Sequence, residues 1–509
     1  MKREGAMTEP SKPISLFKLW LFRLILVFVP LALAVAGVEM VAKHRFLAMH
    51  RGFVNAVNEY AETGKLPPSQ WEPHPIWHHR LNPDYPFNHL NKYGFRGLDF
   101  PKDKKAGEFR VVCVGDSTTQ GAGLVFDHTY PFFLERFLSM AMEGRPVTVI
   151  NAGIGSHNTA FNIAYLGAYL VDFSPDFVLI KSSYNDYAPF TLSGFDGDYT
   201  ISFPEIFTME TFPYPAPVWA RRSYMGKYYY ARRLAKSQQR FILGMNLGAQ
   251  IVPSTIDSNL KLANIYGHRI RALAGIASAN GATPLFLDLP YSHRPGGTPG
   301  LMARIFGAFN LQIVQTAGSL KADLAATQGA LTEADFIDSV HNSSQGHQRI
   351  AALAANRILA RLGSKISYRE FPLSPTALSS PALFEKDHPL SDAAKPDEDG
   401  YGAVPAPAAG GNQVPIFIAI GKPIGESRLI VSFHEADATA RLSAFIRNGS
   451  DEWKPHLTLD HSRQNPAMPD LAIIPIPAGT TGVKLLFEAA SQTAVSLNRI
   501  NIWEIEAGN

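Results

Sequence analysis

The chain of 509 residues carries 47 lysines and arginines against 44 acidic residues, and a net charge of +3 gives no electrostatic case for nucleic acid. Its length accommodates two or more domains with their own cores. The single cysteine, Cys113, excludes a disulfide framework and a cysteine-rich metal site, and within its apolar run it reads as a buried core thiol.

In chain order, residues 1–18 read as a short cytoplasmic segment and residues 19–42 ("LWLFRLILVFVPLALAVAGVEMVA") as a transmembrane anchor. A helix of that length crosses a hydrocarbon core of roughly 30 Å. Lys2, Arg3, Lys12 and Lys18 precede it, while Lys43, Arg45 and Arg51 follow, so the positive-inside bias slightly favours a cytoplasmic N-terminus. The alternative is a cleavable signal peptide, against which stand the length of the apolar run and the lack of a clear A-x-A site. The expected topology is single-pass, with nearly all of the chain outside the cytoplasm, which is the periplasm if the chain is bacterial.

Residues 43–105 form an aromatic, Pro-containing lead-in holding His74, His78, His79 and His89. Adjacent His78 and His79 lack the i, i+4 spacing of helical metal ligands, and no carboxylate partner sits beside them, so packed or solvated histidines are expected. From residue 106 to 365 the pattern alternates. Strands "RVVCV", "VTVI", "DFVLI" and "TPLFLDLP" are separated by helical stretches, among them "YPFFLERFLSMAME", where Phe133, Phe137 and Met140 share a face. Alternating strands and helices imply an α/β domain with a doubly wound parallel sheet. An aromatic insertion at 188–256, with Arg221, Arg222, Arg232 and Arg233, reads either as a wall for an anionic ligand or as packing with solvated arginines.

Residues 371–412 have linker composition. From 413 to 509, segments such as "VPIFIAIG", "SRLIVSFHE" and "VKLLFEAA" alternate every second residue between turns, the pattern of a β-sandwich-like accessory domain. Trp453 there is expected to be exposed, which motivates ligand binding beside a purely structural role.

Four loops of the α/β domain present polar groups at one expected sheet edge. "GDSTTQG" supplies Ser117, "NAGIG" the backbone N–H of Gly153, "SSYND" the amide of Asn185, and "DSVH" both Asp338 and His341. A hydroxyl nucleophile, an imidazole base, a carboxylate that holds its tautomer, and donors for a developing oxyanion are the parts of acyl transfer. The three-residue spacing lets Asp338 reach His341 locally. G-x-S-x-G is absent at Ser117, so the α/β-hydrolase nucleophile elbow is not indicated.

"VGDSTTQG", "NAGIG", "YND" and "DSVH", in this order, resemble the GDSL or SGNH hydrolase superfamily over roughly residues 91–362. The resemblance implies a flavodoxin-like three-layer α/β fold, with Ser117 as nucleophile, His341 as base, Asp338 orienting it, and the N–H of Ser117, Gly153 and Asn185 as the oxyanion hole. Two departures are Thr118 where the family has leucine and Ser183 where it has glycine. Asp116 and Asp186 are expected to fix turns, and His347 to cap or pack the last helix. No cofactor and no metal are expected. With the anchor and the "NKYGFRG" lead-in, the chain also resembles envelope-associated members of the superfamily. That implies a membrane-anchored serine esterase removing O-acyl groups, acetyl above all, from an extracytoplasmic polysaccharide. The alternatives are an O-acyltransferase using the same site, or a glycan-binding or assembly protein with a vestigial one. Its expected partners are an O-acylated glycan or other ester, the membrane, and envelope polysaccharide machinery, with no nucleic acid.

Overall fold

The computed structural model describes residues 16–49; 70–199 except 75, 84, 86–88, 192–194 and 198; 223–226 and 228–229; 253–371 except 293–299; 378–379; 402–404; and 413–507 except 421–423, 434–439, 450–451, 462–470 and 490–494. The basic residues before Ile14, Arg51, the arginines of the insertion and most of the expected linker lie outside these residues.

Two units are described separately. In the first, the apolar stretch forms one helix, α1 (Leu16–Met49), whose Phe17–Arg45 portion is long and apolar enough to cross a membrane and is not buried in protein. A signal sequence meets the same criterion. Within this unit the Glu39 carboxylate accepts the N–H of Met225 at 3.0 Å.

The second unit begins with an antiparallel hairpin, β1 (Trp71–His74) and β2 (His78–Leu81), which pairs Trp71 with Leu81 and His74 with His78. The chain then enters β3 (Phe109–Gly115), every residue of which is buried. An unbroken apolar run suits a central parallel strand covered on both faces better than an alternating one would. There follow α2 (Ser117–Gln120), α3 (Tyr130–Ala141), β4 (Val147–Gly153), α4 (Thr159–Ala168), β5 (Phe177–Lys181), α5 (Ala263–Ala279), β6 (Thr283–Leu287), α6 (Gly300–Leu320), β7 (Asp323–Ala325) and α7 (Ser344–Arg361).

The five strands form one parallel sheet in the order β4-β3-β5-β6-β7. This is the flavodoxin-like 2-1-3-4-5 order, in which chain direction across the sheet reverses between β3 and β5. There Gly115 is paired with Lys181, and on the other side Gly115 is paired with Gly153. The crevice beyond these three strand ends is where such sheets bind ligands. On one face Val111, Cys113, Phe133, Phe137, Ile358 and Leu359 share a core. Cys113 is fully buried, and burial pushes its thiol pKa up, leaving it an inert core group.

The C-terminal region holds two antiparallel sheets. One has the order β14-β13-β16-β11-β9 and the other β10-β17-β12-β15, with β8 also on β17. The strands are β8 (Ile366–Phe371), β9 (Leu378–Ser379), β10 (Gly402–Val404), β11 (Gln413–Ala419), β12 (Ser427–Phe433), β13 (Ala440–Arg447), β14 (Lys454–His461), β15 (Leu471–Ile476), β16 (Gly482–Ala489) and β17 (Val495–Ala507). Ile416, Ile418, Leu429, Val431, Leu442, Ile474 and Leu485 point inward at every second position, as a sandwich core requires. The stretch expected as linker thus contributes short strands to both sheets. β8, which leaves the α/β domain directly after α7, pairs along β17 from Phe371–Ile502 to Ile366–Ala507. Trp453 is part-buried, with Arg447 stacked over its ring at 4.8 Å.

Candidate active site

Ser117 opens α2, immediately after β3. Asp116 caps the turn: one carboxylate oxygen accepts the N–H of Thr118 at 2.9 Å and its hydroxyl at 2.8 Å. The other accepts the Tyr184 N–H at 2.7 Å and the Ser183 hydroxyl at 3.0 Å. Asp116 therefore ties the Ser117 turn to the loop after β5. The turn lies hard against two strand ends. A Cβ on Gly115 would come 2.5 Å from the Lys181 carbonyl oxygen, and one on Gly153 would come 2.1 Å from the Gln120 nitrogen. Only glycine fits at either place.

Arg96, from the "NKYGFRG" stretch, reaches the end of the same turn. Its buried guanidinium donates to the carbonyls of Gln120 at 2.7 Å and Gly121 at 2.6 Å, and also to that of Leu124. The Gly121 carbonyl also accepts the Leu124 N–H at 3.1 Å and that of Gln120 the Asn151 amide at 3.3 Å, so Arg96 adds to the ties at the C-terminal end of this short helix.

Asp338 and His341 share one tight turn, closed by the Ile337 N–H donating to the His341 carbonyl at 3.0 Å. One Asp338 oxygen accepts the backbone N–H of Val340 at 2.8 Å and of His341 at 2.7 Å. The other lies 2.6 Å from His341 Nδ1. Partial burial alone would raise the Asp338 carboxyl, but the imidazole and the two backbone donors hold it below the usual carboxylate value. On its far side the ring approaches Ser117, with Nε2 2.8 Å from Oγ. With Nδ1–H committed to Asp338, Nε2 faces the hydroxyl as an acceptor.

Asn185 stands in the loop after β5 and donates one amide hydrogen to the His157 carbonyl at 2.9 Å, leaving its second amide hydrogen. Gly153 differs from the role expected of it. Its N–H is already donated to Asn151 Oδ1 at 3.1 Å, and its missing side chain serves the contact with Gln120. The next N–H groups are used in turn. Ile154 donates to the Gly115 carbonyl at 3.3 Å, Gly155 to Gln120 Oε1 at 2.7 Å, and His157 to the Ile154 carbonyl at 3.1 Å. Ser156 sits among them at φ +64°, a left-handed conformation, and its N–H meets no acceptor among the described residues. Its neighbours are fixed on either side, Gly155 to Gln120 of α2 and His157, through its carbonyl, to Asn185. A serine, not a glycine, holds this left-handed position, so no local residue signal marks the donor.

Asp186 accepts the Thr159 N–H at 2.9 Å and also its hydroxyl, fixing the start of α4, and burial pushes its carboxyl up to about 6. His347 is buried in α7, and its Nδ1 accepts the Tyr130 N–H at 2.9 Å, a packing role. Of the lead-in histidines, His79 is fully buried and His78 stacks on Phe161. A separate cavity of about 190 Å³ lies along the outer edge of β4, lined by Phe95, Phe126, Phe132 and Glu135 among others, and none of the triad residues borders it.

No protein-family model matches the sequence, nor does any curated protein. Solved structures do. A GDSL-like lipase from Bacteroides thetaiotaomicron is 14% identical, with 50% of this chain and 88% of that chain covered and a TM-score of 0.28. Axe2, an acetylxylan esterase from Geobacillus stearothermophilus, is 16% identical, with 50% and 94% covered and a TM-score of 0.31. A two-domain esterase active on acetylated mannans, co-crystallised with mannopentaose, is 14% identical, with 79% and 92% covered and a TM-score of 0.27. The chain is thus similar to proteins named as esterases and lipases, one of them GDSL-like.

Proposed function

We propose that this chain is a serine esterase in which Ser117 carries the acyl group, His341 moves the proton and Asp338 orients His341. One observation carries the reading: the continuous contact from Ser117 Oγ through both imidazole nitrogens to Asp338, at 2.8 and 2.6 Å, beyond the ends of β3 and β5. Ser117 Oγ attacks the ester carbonyl carbon and gives its proton to His341 Nε2, and the carbonyl π pair moves onto oxygen. The N–H groups of Ser117 and Ser156 and the second amide hydrogen of Asn185 receive that oxyanion, Ser156 taking the part expected of Gly153. Collapse breaks the bond to the leaving alkoxide, which takes the proton from His341. Water then attacks the acyl-enzyme, passes a proton to His341, and releases the acid as Ser117 regains its hydrogen.

The resemblance to envelope-associated superfamily members, with the apolar α1, extends the reading to O-acetyl groups on an extracytoplasmic polysaccharide, the chain being held at the membrane. Exposure of the side chains, 24% for His341 and 52% for Asp338, leaves the base open to water and favours hydrolysis over transfer to a sugar. The test pairs the full chain with Ser117→Ala on a chromogenic acetyl ester and on acetylated polysaccharides, with mass spectrometry of the Ser117 peptide. Turnover and an acetyl adduct that both require Ser117 are expected. Undiminished turnover by Ser117→Ala would sink the assignment, and an adduct discharged only by a glycan acceptor would replace esterase by transferase.

A further inference from the structure

The β1–β2 hairpin supplies no member of the triad, yet it closes over the loop that holds Ser156. His79 is fully buried, and its Nε2 lies 2.7 Å from the carbonyl oxygen of Gly155. The His79 carbonyl in turn receives Nε2 of His157 at 3.0 Å. The His79 ring stands edge-on to Trp71, with centroids 5.6 Å apart, and to His157 at 4.5 Å. Trp71 also presses on the loop, since a Cβ on Gly155 would meet its ring at 3.0 Å. The hairpin thus grips the Gly155–His157 turn that Gln120 also holds.

The Gly155 carbonyl and the Ser156 N–H belong to one peptide group, planar and with its two polar atoms pointing in opposite directions. A donor fixed on the oxygen sets the direction of the N–H. It also polarises the group, because hydrogen bonds in a chain strengthen one another where water is excluded. Ser156 needs such a hold, because a left-handed conformation disfavours a non-glycine residue.

The geometry points to His79 as a positioning residue for ester hydrolysis: through its bond to the Gly155 carbonyl it aims and polarises the Ser156 N–H toward the oxyanion. This rests on the serine-esterase reading above. Burial holds the imidazole well below its usual pKa, so it is neutral at physiological pH and carries one ring proton. A carbonyl can only accept, which puts that proton on Nε2, and Nδ1 then faces Nδ1 of His78 at 3.3 Å as acceptor. The lead-in becomes part of the catalytic apparatus, coupled to it by one hydrogen bond.

The experiment uses the full chain with p-nitrophenyl acetate and compares wild type, Ser117→Ala, His79→Gln, His79→Asn and His79→Leu. A glutamine amide nitrogen can occupy the place of Nε2, whereas an asparagine amide falls short of the Gly155 oxygen. Removing a whole oxyanion donor costs about 10²–10³ in kcat, so loss of its support is expected to cost roughly tenfold to a hundredfold. His79→Asn and His79→Leu should show that loss in kcat with KM within about twofold of wild type, and His79→Gln should recover most of it. If His79→Leu fails to fold, the polar Gln and Asn pair decides alone. Equal kcat in that pair, or a change confined to KM or thermal stability, overturns the inference while leaving the esterase reading in place. Wild-type turnover independent of Ser117 overturns both.

Discussion

Lys181 ends β5 with its side chain wholly buried, paired in register with Gly115 and two residues from Ser183. Its ammonium donates to Thr118 Oγ1 at 2.5 Å, next in the chain to Ser117, and lies 5.1 Å from the centre of the Tyr184 ring. Burial pushes its pKa down to about 8, against the pull of Asp116 and Asp288, which favour the charged form. Thr118, where the resembled family has leucine, thus accepts from a cation and passes its own hydroxyl hydrogen to Asp116. The depressed value makes the protonated lysine a cost to the fold below pH 8. Between pH 8 and its ordinary value near 10.5 the unfolded chain binds the extra proton, so folding gains stability as pH rises. The interval of about 2.5 pH units corresponds to roughly 3 kcal/mol. Urea unfolding of wild type and Lys181→Met across this range should show wild type gaining on the variant by an amount of that order. A difference that stays flat from pH 8 to 10.5 would show that Lys181 carries no such shift. Asp338 is the opposite case: its carboxyl lies below its ordinary value, so the stability it adds is present at neutral pH and is lost as pH falls through its folded pKa.

At the scale of elements, the site depends on how closely α2 lies across the ends of β3 and β4. Gly153→Ala puts a methyl within 2.1 Å of the Gln120 backbone nitrogen, and backbone cannot yield as a side chain would. Overpacking of this kind costs about 1–3 kcal/mol, and relief must come by moving the turn that carries Ser117. The variant should fold with a lowered melting temperature and lose most of its Ser117-dependent turnover; full turnover would show that α2 tolerates displacement. The same contact marks what the sequence could and could not disclose. Strands β3 to β6, the helices between them and the Asp338–His341 turn follow from local patterns: apolar runs, 3.6-residue periodicity and a three-residue spacing. The three-residue β7 has no apolar run to announce it, being the tail of the stretch after α6. Gly153 announced a close approach, but a glycine does not say whether a ligand or a helix comes near, and here it is a helix. Ser156 adopts a left-handed conformation without a glycine to signal it. The grips of Arg96 and His79 join residues 24 and 76 positions apart, which no local pattern encodes.

At the scale of the whole molecule, the α/β domain and the sandwich hang together through β8 and β17. Residue 365, where the α/β domain was expected to end, is followed at once by a strand of the sandwich. Tyr368 of β8 packs its ring 4.8 Å from Phe137 and donates its hydroxyl to the Phe137 carbonyl at 2.6 Å. Trp503 of β17 sits 5.3 Å from the same Phe137 ring and is 97% buried, with an exposure of 3%. Asn501 donates to Gln348 of α7 at 2.8 Å. Tyr368, Ile430 and Trp503 belong to one core with Val111, Leu134 and Ile358, so the sandwich finishes the face of the parallel sheet covered by α3 and α7. Domains joined by a flexible tether unfold separately; domains that share a core unfold together. Thermal unfolding should therefore give a single transition that both regions share. Trp503→Ala should lower it by the equivalent of about 3–5 kcal/mol, the usual cost of emptying a buried aromatic site. Because Phe137 anchors α3, and Tyr130 at the head of α3 is held by His347, the loss would be felt at the catalytic face as reduced turnover on heating. Two well-separated transitions, with Trp503→Ala moving only one of them, would show instead that the sandwich is an independent module and that its contact with α3 adds nothing to the enzyme's stability.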